Sequence, residues 1–415
     1  MRKQDVCRLR KFNLLEVFMN AVGIDVSKGK SMVCVMRMFG EVVASPFEVN
    51  HTDSELSKLA KMLKSLKGET KIVMECTGSY HLPIAYALHD AGLFVSAVNP
   101  QLIHNYDNNS IRKSRNDRTD SIKIANYTLT NWLDLTKYVP EEDTRHMLKT
   151  YSRQYSKYLK IKTMLTNNLI SLCDQTFPGV NELFSSPPRK CDGHEKWLDF
   201  ADYFWHCDCV CGLSPKVFSE RYRKWCKRES YYFNQEKADD IYASACGHVC
   251  VIPKNDVTKL LIKQAIAQVI AVSETIAIVA AEMKRLAASL PEYGIVMGFY
   301  GVGELLGSQL IAEIGDIYRY QKKSSLVCFA GLEPVENQSG KFKGNEDISK
   351  QGSPHLRKTL FQIMDCILKN APKDNSIFQF LDRKRAEGKH YYSYMNAGSA
   401  KLLRIYYARV KEHLD

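Results

Sequence analysis

The sequence predicts an α/β domain over residues 20–138, then long paired helices, then a mainly α-helical C-terminal region. Three observations carry that expectation. Short apolar runs alternate with amphipathic helical stretches from Ala21 to Tyr138, as in a sheet with helices laid on it. Apolar residues recur every seven positions through 255–290, the signature of a coiled-coil seam. Beyond Pro291 the readable pattern is again helical, opened by a glycine-rich turn.

A chain of 415 residues has room for two or three domains with real cores. With 45% hydrophobic and 25% charged residues it is neither disordered nor fibrous. No apolar run approaches membrane-spanning length and nothing resembles a signal peptide, so no membrane partner is expected. The net charge of +12 points to an anionic partner, nucleic acid being the usual one. The 13 cysteines are mostly scattered singly, which fits reduced thiols in a cytoplasmic protein.

Residues 1–19 form a basic lead-in with Arg2, Lys3, Arg8, Arg10 and Lys11. Ala21–Val26 and Ser31–Met36 read as two strands around the turn Ser27–Lys30. Asp25 stands within the first of them, where a lone carboxylate is costly without a cation or hydrogen-bond partner. Leu56, Leu59, Leu63 and Leu66 mark an amphipathic helix over 53–67. The strand Lys71–Cys76 carries a second acid, Glu75, and the strand Leu93–Val98 stops at Asn99-Pro100.

The stretch Arg115–Ala125 then reads as a loop running into a helix. Asp117 and Asp120 are three apart and share a helix face, with Arg115, Arg118 and Lys123 around them as candidate phosphate contacts. Two adjacent carboxylates repel unless a cation lies between them, so they make sense as half of a divalent-metal site. Taken alone, the pair reads more simply as a solvated helix start with acids at its positive end, and its weight comes from the other acids of the chain. Together, Asp25, Glu75, Asp117 and Asp120 suit two magnesium ions, which take carboxylate and phosphate oxygens and assist phosphodiester chemistry.

A long helix is expected over 139–175, with Leu148, Tyr151, Tyr155, Tyr158, Leu165, Leu169 and Leu172 near heptad spacing. Arg145, Lys149, Arg153 and Lys157 recur every four residues on it, either a solvated face or a phosphate-tracking stripe. The second long helix, 255–290, repeats Ile262, Val269, Ile276, Met283 and Leu290, with Ala265, Val272, Val279 and Leu286 between. Between them lies an insert, 176–254, holding Cys191, His194, His206, Cys207, Cys209, Cys211, Cys226, Cys246, His248 and Cys250. A structural zinc is one reading, but Cys-x-Cys-x-Cys and Cys-x-x-x-Cys are not the usual ligand spacings, which favours buried thiols.

In 291–415, Gly301-Val302-Gly303 opens a helix and could present free N–H groups to a phosphate, as helix–hairpin–helix modules do. Ser339 sits in a glycine-flanked loop with Lys341, Lys343 and Lys350, followed by Arg357 and Lys358. A serine so placed could attack a phosphate while the cations offset developing charge; taken alone, the loop reads more simply as a turn with Ser339 as one of its turn residues. From 350 onward, 13 Lys and Arg against 6 Asp and Glu suit contact with a DNA backbone.

The order Asp, Glu, Asp-x-x-Asp resembles the ribonuclease-H-like fold of RuvC-type Holliday-junction resolvases. Gly23–Lys28, Glu75–Tyr80, Val98-Asn99-Pro100 and Arg115–Asp120 together resemble the DEDD-type insertion-sequence transposases, whose known members are guided by a bridge RNA. Cys328–Pro334, Gln338–Lys341 and Ile348–Lys358 resemble the C-terminal transposase domain of that family. The likeness covers 20–175 and 255–415 and implies a RuvC-like catalytic domain, two coiled-coil helices and a C-terminal transposase domain. It further implies that Asp25, Glu75, Asp117 and Asp120 hold Mg2+, and that Ser339 matches the DNA-attacking nucleophile of one composite site. The partners it implies are donor and target DNA, a structured guide RNA and further copies of the chain, as dimer or tetramer, on the prokaryotic nucleoid.

Two rival activities remain. A metal-dependent nuclease or junction resolvase would use water, leaving Ser339 structural. Gly-Ile-Asp-Val also opens actin-like ATPases, but no second phosphate loop or adenosine-binding glycine stretch is found. A catalytically inert nucleic-acid binder would have no need of all four acids.

Overall fold

The computed structural model describes residues 19–76, 78–106, 116–189, 193–335 and 348–415, and the backbone of 338–339 and 342–343. Arg115, Lys341, Cys191 and the basic lead-in up to residue 18 lie outside the described residues. The chain divides into two units, Met1–Pro140 and Glu141–Asp415.

The N-terminal unit is built on strands β1 (Met19–Ser27), β2 (Lys30–Met36), β3 (Val42–Asn50), β4 (Glu69–Glu75) and β5 (Phe94–Val98). They lie in the order β3-β2-β1-β4-β5. The first three form an antiparallel meander, whereas β4 and β5 run parallel to β1. Helices α1 (Asp53–Ser65), α2 (Leu82–Asp90), α3 (Pro100–Tyr106) and α4 (Asp117–Thr130) complete it. The mixed sheet sorts its residues by strand period. Val22, Ile24 and Val26 of β1, with Ile72 and Met74 of β4, share a core with Leu56, Leu59, Leu63, Ile84 and Leu88 of α1 and α2. The opposite face packs on α4, where Val73 meets Ile124 and Cys34 and Met36 meet Ala125.

The second unit begins with α5 (Asp143–Thr176) and continues through α6 (Lys196–Tyr203), α7 (Pro215–Arg228), α8 (Gln235–Gly247) and α9 (Asp256–Ala288). It closes with α10 (Tyr293–Met297), α11 (Glu304–Ile314), α12 (Lys323–Phe329), the short strands β6 (Gln338–Ser339) and β7 (Phe342–Lys343), α13 (Pro354–Asn370), α14 (Ser376–Ala386) and α15 (Tyr391–Leu414). Leu148 near the start of α5 shares a core with Met283 and Ala287 near the end of α9. Leu169 and Cys173 at the other end share one with Ile262, Ile266 and Val269. The two long helices therefore pack antiparallel. Heptad positions near the ends, Ile262, Val269, Met283 and Leu290, are buried, while Val272, Ile276 and Val279 in the middle are only half-buried. Two helices alone leave one side of such a seam uncovered.

Contrary to the expectation from sequence, α9 is long and apolar enough to cross a membrane by length and composition. Several of its apolar side chains instead pack against α5 and the cores at its two ends. The insert is a helical module whose aromatic core, Phe177, Phe200, Phe204, Phe218, Tyr222 and Trp225, is continuous with Leu169 and Ile262 of the long helices.

Candidate functional site

Three elements bring the acids of the N-terminal unit together. Ile24 is the last residue of β1 paired with β4, opposite Met74, so Asp25 and Glu75 follow side by side at the C-terminal ends of parallel strands. Strand alternation turns both away from the α1/α2 core and toward α4. On α4 the buried residues Ser121, Ile124, Ala125 and Thr128 define the stripe that meets the sheet. Asp117 and Asp120 lie one turn before Ser121 and Ile124 and extend that stripe toward the strand ends.

The start of α4 is fixed by its own sequence. Asn116 is the N-cap and Thr119 answers it, with Thr119 N–H donating to Asn116 Oδ1 at 2.8 Å and Asn116 N–H to Thr119 Oγ1 at 3.2 Å. The helix also approaches β1 unusually closely. A Cβ at Gly23 would stand 2.2 Å from the Ser121 carbonyl oxygen and 2.3 Å from the Ala125 nitrogen. A glycine two residues before Asp25 is thus what admits the helix that carries Asp117 and Asp120.

The four groups interact electrostatically. Burial first, then the neighbouring Asp117 and Asp120, push the Asp25 carboxyl up from 3.8 to about 6, against a backbone hydrogen bond from Val26. Glu75 is also raised, first by burial, then by Asp25 and Asp120, with Lys123 opposing. Such a desolvated anionic cluster is poised for cations. All its donors are hard carboxylate oxygens, which fits Mg2+. Among the described residues, no three His, Cys, Asp or Glu side chains converge on one ion position.

The other candidate residues are scattered. Arg118 is exposed and Lys123 half-buried beside the acids. The basic stripe on α5 is corrected at Arg145, which is buried and held by Glu292, with Nη2 donating to Oε2 at 3.0 Å. Sequence spacing places residues on one helix face but does not say whether a partner covers it. Lys149 pairs with Glu141 at 3.4 Å and Arg153 with the buried Glu313 at 3.3 Å, while Lys157 stays exposed.

The Gly-x-Gly turn also has a packing explanation. Gly301 has φ +78°, and a Cβ there would meet Ile367 Cγ1 at 2.8 Å and the Ile363 carbonyl oxygen at 3.2 Å. Gly303 is the N-cap of α11, but the first helical residue is Glu304, paired with Lys284 at 2.9 Å. A carboxylate at that position already answers the helix's positive end.

Ser339 lies in β6 opposite Phe342, and Lys343 lies opposite Gln338. The chain on either side of this pair of strands is zipped together. Pro334 bridges Ile348, Ser349 N–H donates to the Glu333 carbonyl at 2.9 Å, and Lys350 N–H to that of Gly331 at 3.1 Å. A Cβ on Gly352 would stand 2.4 Å from Gly331 N, so this joint requires bare backbone. Arg357 Nη1 donates to the Ala330 carbonyl at 2.8 Å, and Lys350 and Lys358 are exposed.

The insert shows no zinc constellation among its described residues. Burial first, then a neighbouring thiol in each case (Cys246 beside Cys211, Cys250 beside Cys207), pushes the Cys211 thiol up to about 11 and Cys207 higher still.

The comparisons with known proteins agree with the sequence motifs. Residues 22–178 match a family model described as transposase, DEDD type of IS110. Residues 293–378 match the model for the transposase IS116/IS110/IS902 family, so the two matches together span more than half of the chain. The transposase for insertion sequence element IS1111A of Coxiella burnetii is 21% identical over 84% of this chain and 78% of its own length. The insertion element IS900 uncharacterized 42 kDa protein of Mycobacterium paratuberculosis is 29% identical over 120 residues, 29% of this chain and 29% of that protein. A solved structure of T. thermophilus RuvC in complex with Holliday junction substrate aligns with a TM-score of 0.22 and 12% identity, covering 29% of this chain and 99% of that one. The chain belongs to the IS116/IS110/IS902 family of transposases.

Proposed function

We propose that this protein moves an insertion sequence by cutting and rejoining DNA, with Asp25, Glu75, Asp117 and Asp120 as its metal-binding carboxylates and Ser339 as its nucleophile. The observation that carries the reading is the meeting of four acids from β1, β4 and α4, with Asp25 and Glu75 held above their ordinary carboxylate range. Bound magnesium would supply charge stabilisation for the attacked phosphate. The carboxylates orient and retain the ions, and Lys123 limits the surplus negative charge beside Glu75.

In the cutting step the Ser339 Oγ–phosphorus bond forms as the bond from phosphorus to the leaving sugar oxygen breaks. The serine proton passes to solvent, and the leaving oxygen takes one up as a free hydroxyl. Attack by the corresponding hydroxyl of a partner strand reverses the step and joins new ends. The family resemblance supports this assignment of Ser339, the ribonuclease-H-like reading of the N-terminal unit, an RNA guide that reads the DNA by base pairing, and an oligomeric enzyme working on the prokaryotic nucleoid.

A second reading has its own supporting observation. All four acids lie within the N-terminal unit, so a water-using nuclease or junction resolvase would need nothing from Ser339. Covalent trapping separates the two. Protein with its co-purifying RNA and magnesium is mixed with labelled DNA carrying the element's junction, then denatured. A labelled adduct, lost in Ser339→Ala and in Asp117→Asn, supports the serine mechanism. Cutting without adduct, retained by Ser339→Ala, assigns the chemistry to water.

A further inference from the structure

The C-terminal region contains a cleft of about 1330 Å³ walled by α13 and α15, with Phe380 of α14 at its margin. That volume exceeds the roughly 300–1,000 Å³ of small-molecule pockets. Its lining combines two kinds of group. Lys350, Arg357, Lys358 and Arg404 supply four cations, none with an acidic partner among the described residues. Arg357 is half-buried and its guanidinium is pushed below its ordinary range by that burial. Among the described residues of the wall the one acid, Asp365, is paired with Lys369 at 2.6 Å.

Aromatic rings supply the other half. Tyr391 and Tyr392 are 41% and 61% exposed at the start of α15, although rings of this size are normally covered. Tyr392 lies 5.8 Å from the His390 ring and 6.3 Å from Phe361, both tilted by little more than 30°. Tyr391 stands edge-on to Tyr392 at 5.3 Å and 78°, so the two tyrosines offer ring faces in two directions. Asn396, one turn further along α15, lines the same cleft, and its buried side-chain oxygen has no hydrogen-bond partner among the described residues. A buried amide oxygen left unmatched is costly unless a ligand answers it.

We propose that this cleft binds an unpaired polynucleotide strand, with bases stacked on Tyr391 and Tyr392, phosphates on Lys350, Arg357, Lys358 and Arg404, and a base edge on Asn396. Exposed aromatic faces beside uncompensated cations are the combination that single strands require. A duplex keeps its bases stacked on each other and offers no face to Tyr391 or Tyr392. The cleft also includes Pro334 and Ile348, the two ends of the segment that carries Ser339. The inference rests on the nucleic-acid part of the proposed function but not on its chemistry.

The test uses the full-length protein in EDTA, where cutting plays no part. Fluorescence anisotropy compares an oligothymidylate of about twelve nucleotides, an oligouridylate and a blunt duplex of the same length. The expected result is single-strand binding that falls roughly tenfold or more in Tyr391→Ala/Tyr392→Ala, with duplex binding changed much less. Tyr391→Phe/Tyr392→Phe should retain it, which separates stacking from folding. Photo-cross-linking of bromodeoxyuridine- or bromouridine-substituted strands, read by peptide mass, should mark α13 or α15. A preference for thymidylate assigns a DNA strand to the cleft, and a preference for uridylate an RNA strand. No single-strand binding, an equal loss for duplex, or cross-links confined to other elements would overturn the proposal. Loss of the covalent DNA adduct in Ser339→Ala, by contrast, has no bearing on these readouts.

Discussion

Gly23 of β1 and Ala125 of α4 meet backbone to backbone, so that a Cβ on Gly23 would lie 2.3 Å from the Ala125 nitrogen and 2.9 Å from its Cα. No side-chain rotation relieves such a contact, because both partners are main chain. Gly23→Ala must move α4 off the sheet, and with it Asp117 and Asp120. We expect a loss of about 3 kcal/mol or more, at the upper end of overpacking costs, measured as a fall in urea midpoint. Stabilisation by magnesium should disappear along with it. A variant that melts like the parent would show that α4 is not seated this way.

Asp25 gives a prediction with a definite sign. Its carboxyl binds a proton more tightly in the folded chain than its ordinary value of 3.8 allows. The metal-free fold therefore has this contribution in full below about pH 4 and loses it as pH rises to about 6. Asp25→Asn should stabilise the protein in EDTA at pH 8 by about 1–2 kcal/mol, allowing for the group's partial exposure, a shift of a few degrees in Tm. At pH 4 the gain should be smaller. Magnesium should raise the Tm of the parent but not of the variant, since the ion stabilises only what it binds.

The positions of these acids show what was legible in the sequence. The apolar runs marked Asp25 and Glu75 as acids within strands, and a spacing of three put Asp117 and Asp120 on one helix face. The pairing of β1 with β4 that turns Asp25 and Glu75 the same way is instead a matter of tertiary register. The approach of α4 through Gly23 was not legible, although a glycine in an apolar strand before small residues at Ser121 and Ala125 was its one available signal. The α5 stripe misled at Arg145 because a spacing of four fixes a face and says nothing of Glu292, which is distant in sequence and buried against it. The heptads of α9 told which residues face inward, yet the helix middle is left half-covered by α5 alone. The aromatic cleft was illegible for a related reason. Phe361 and Tyr392 are brought together by the packing of α13 on α15, which no local period encodes.

The two glycines before α11 should behave differently. At Gly301, with φ +78° and Ile367 Cγ1 2.8 Å from a new Cβ, alanine should cost about 1–3 kcal/mol. Gly303 has nothing within 4 Å of that position and an ordinary extended backbone. Gly303→Ala should therefore cost less than about 1 kcal/mol, the penalty of a poorer cap. If the turn gripped a phosphate through its N–H groups, Gly303→Ala would instead weaken duplex binding without changing stability. Paired melts and anisotropy titrations distinguish the two.

Arg145 and Glu292 form a buried pair in which each charge depends on the other. Arg145 Nη2 reaches Oε2 at 3.0 Å, the second guanidinium nitrogen reaches Oε1, and the Glu292 side chain is only 2% exposed. Removing one partner strands a charge away from water, so Arg145→Met should cost about 3–5 kcal/mol. Replacing both with methionine restores an uncharged, similar-sized contact between α5 and the segment before α10, and should recover most of that loss. The double-mutant cycle thus separates the cost of an unpaired charge from the worth of the pair. The same cycle tests the phosphate-tracking stripe. If Arg145 touched nucleic acid, the double variant would bind DNA or RNA more weakly and with a shallower salt dependence. With the guanidinium enclosed by Glu292, we expect the salt slope of the double variant to equal that of the parent.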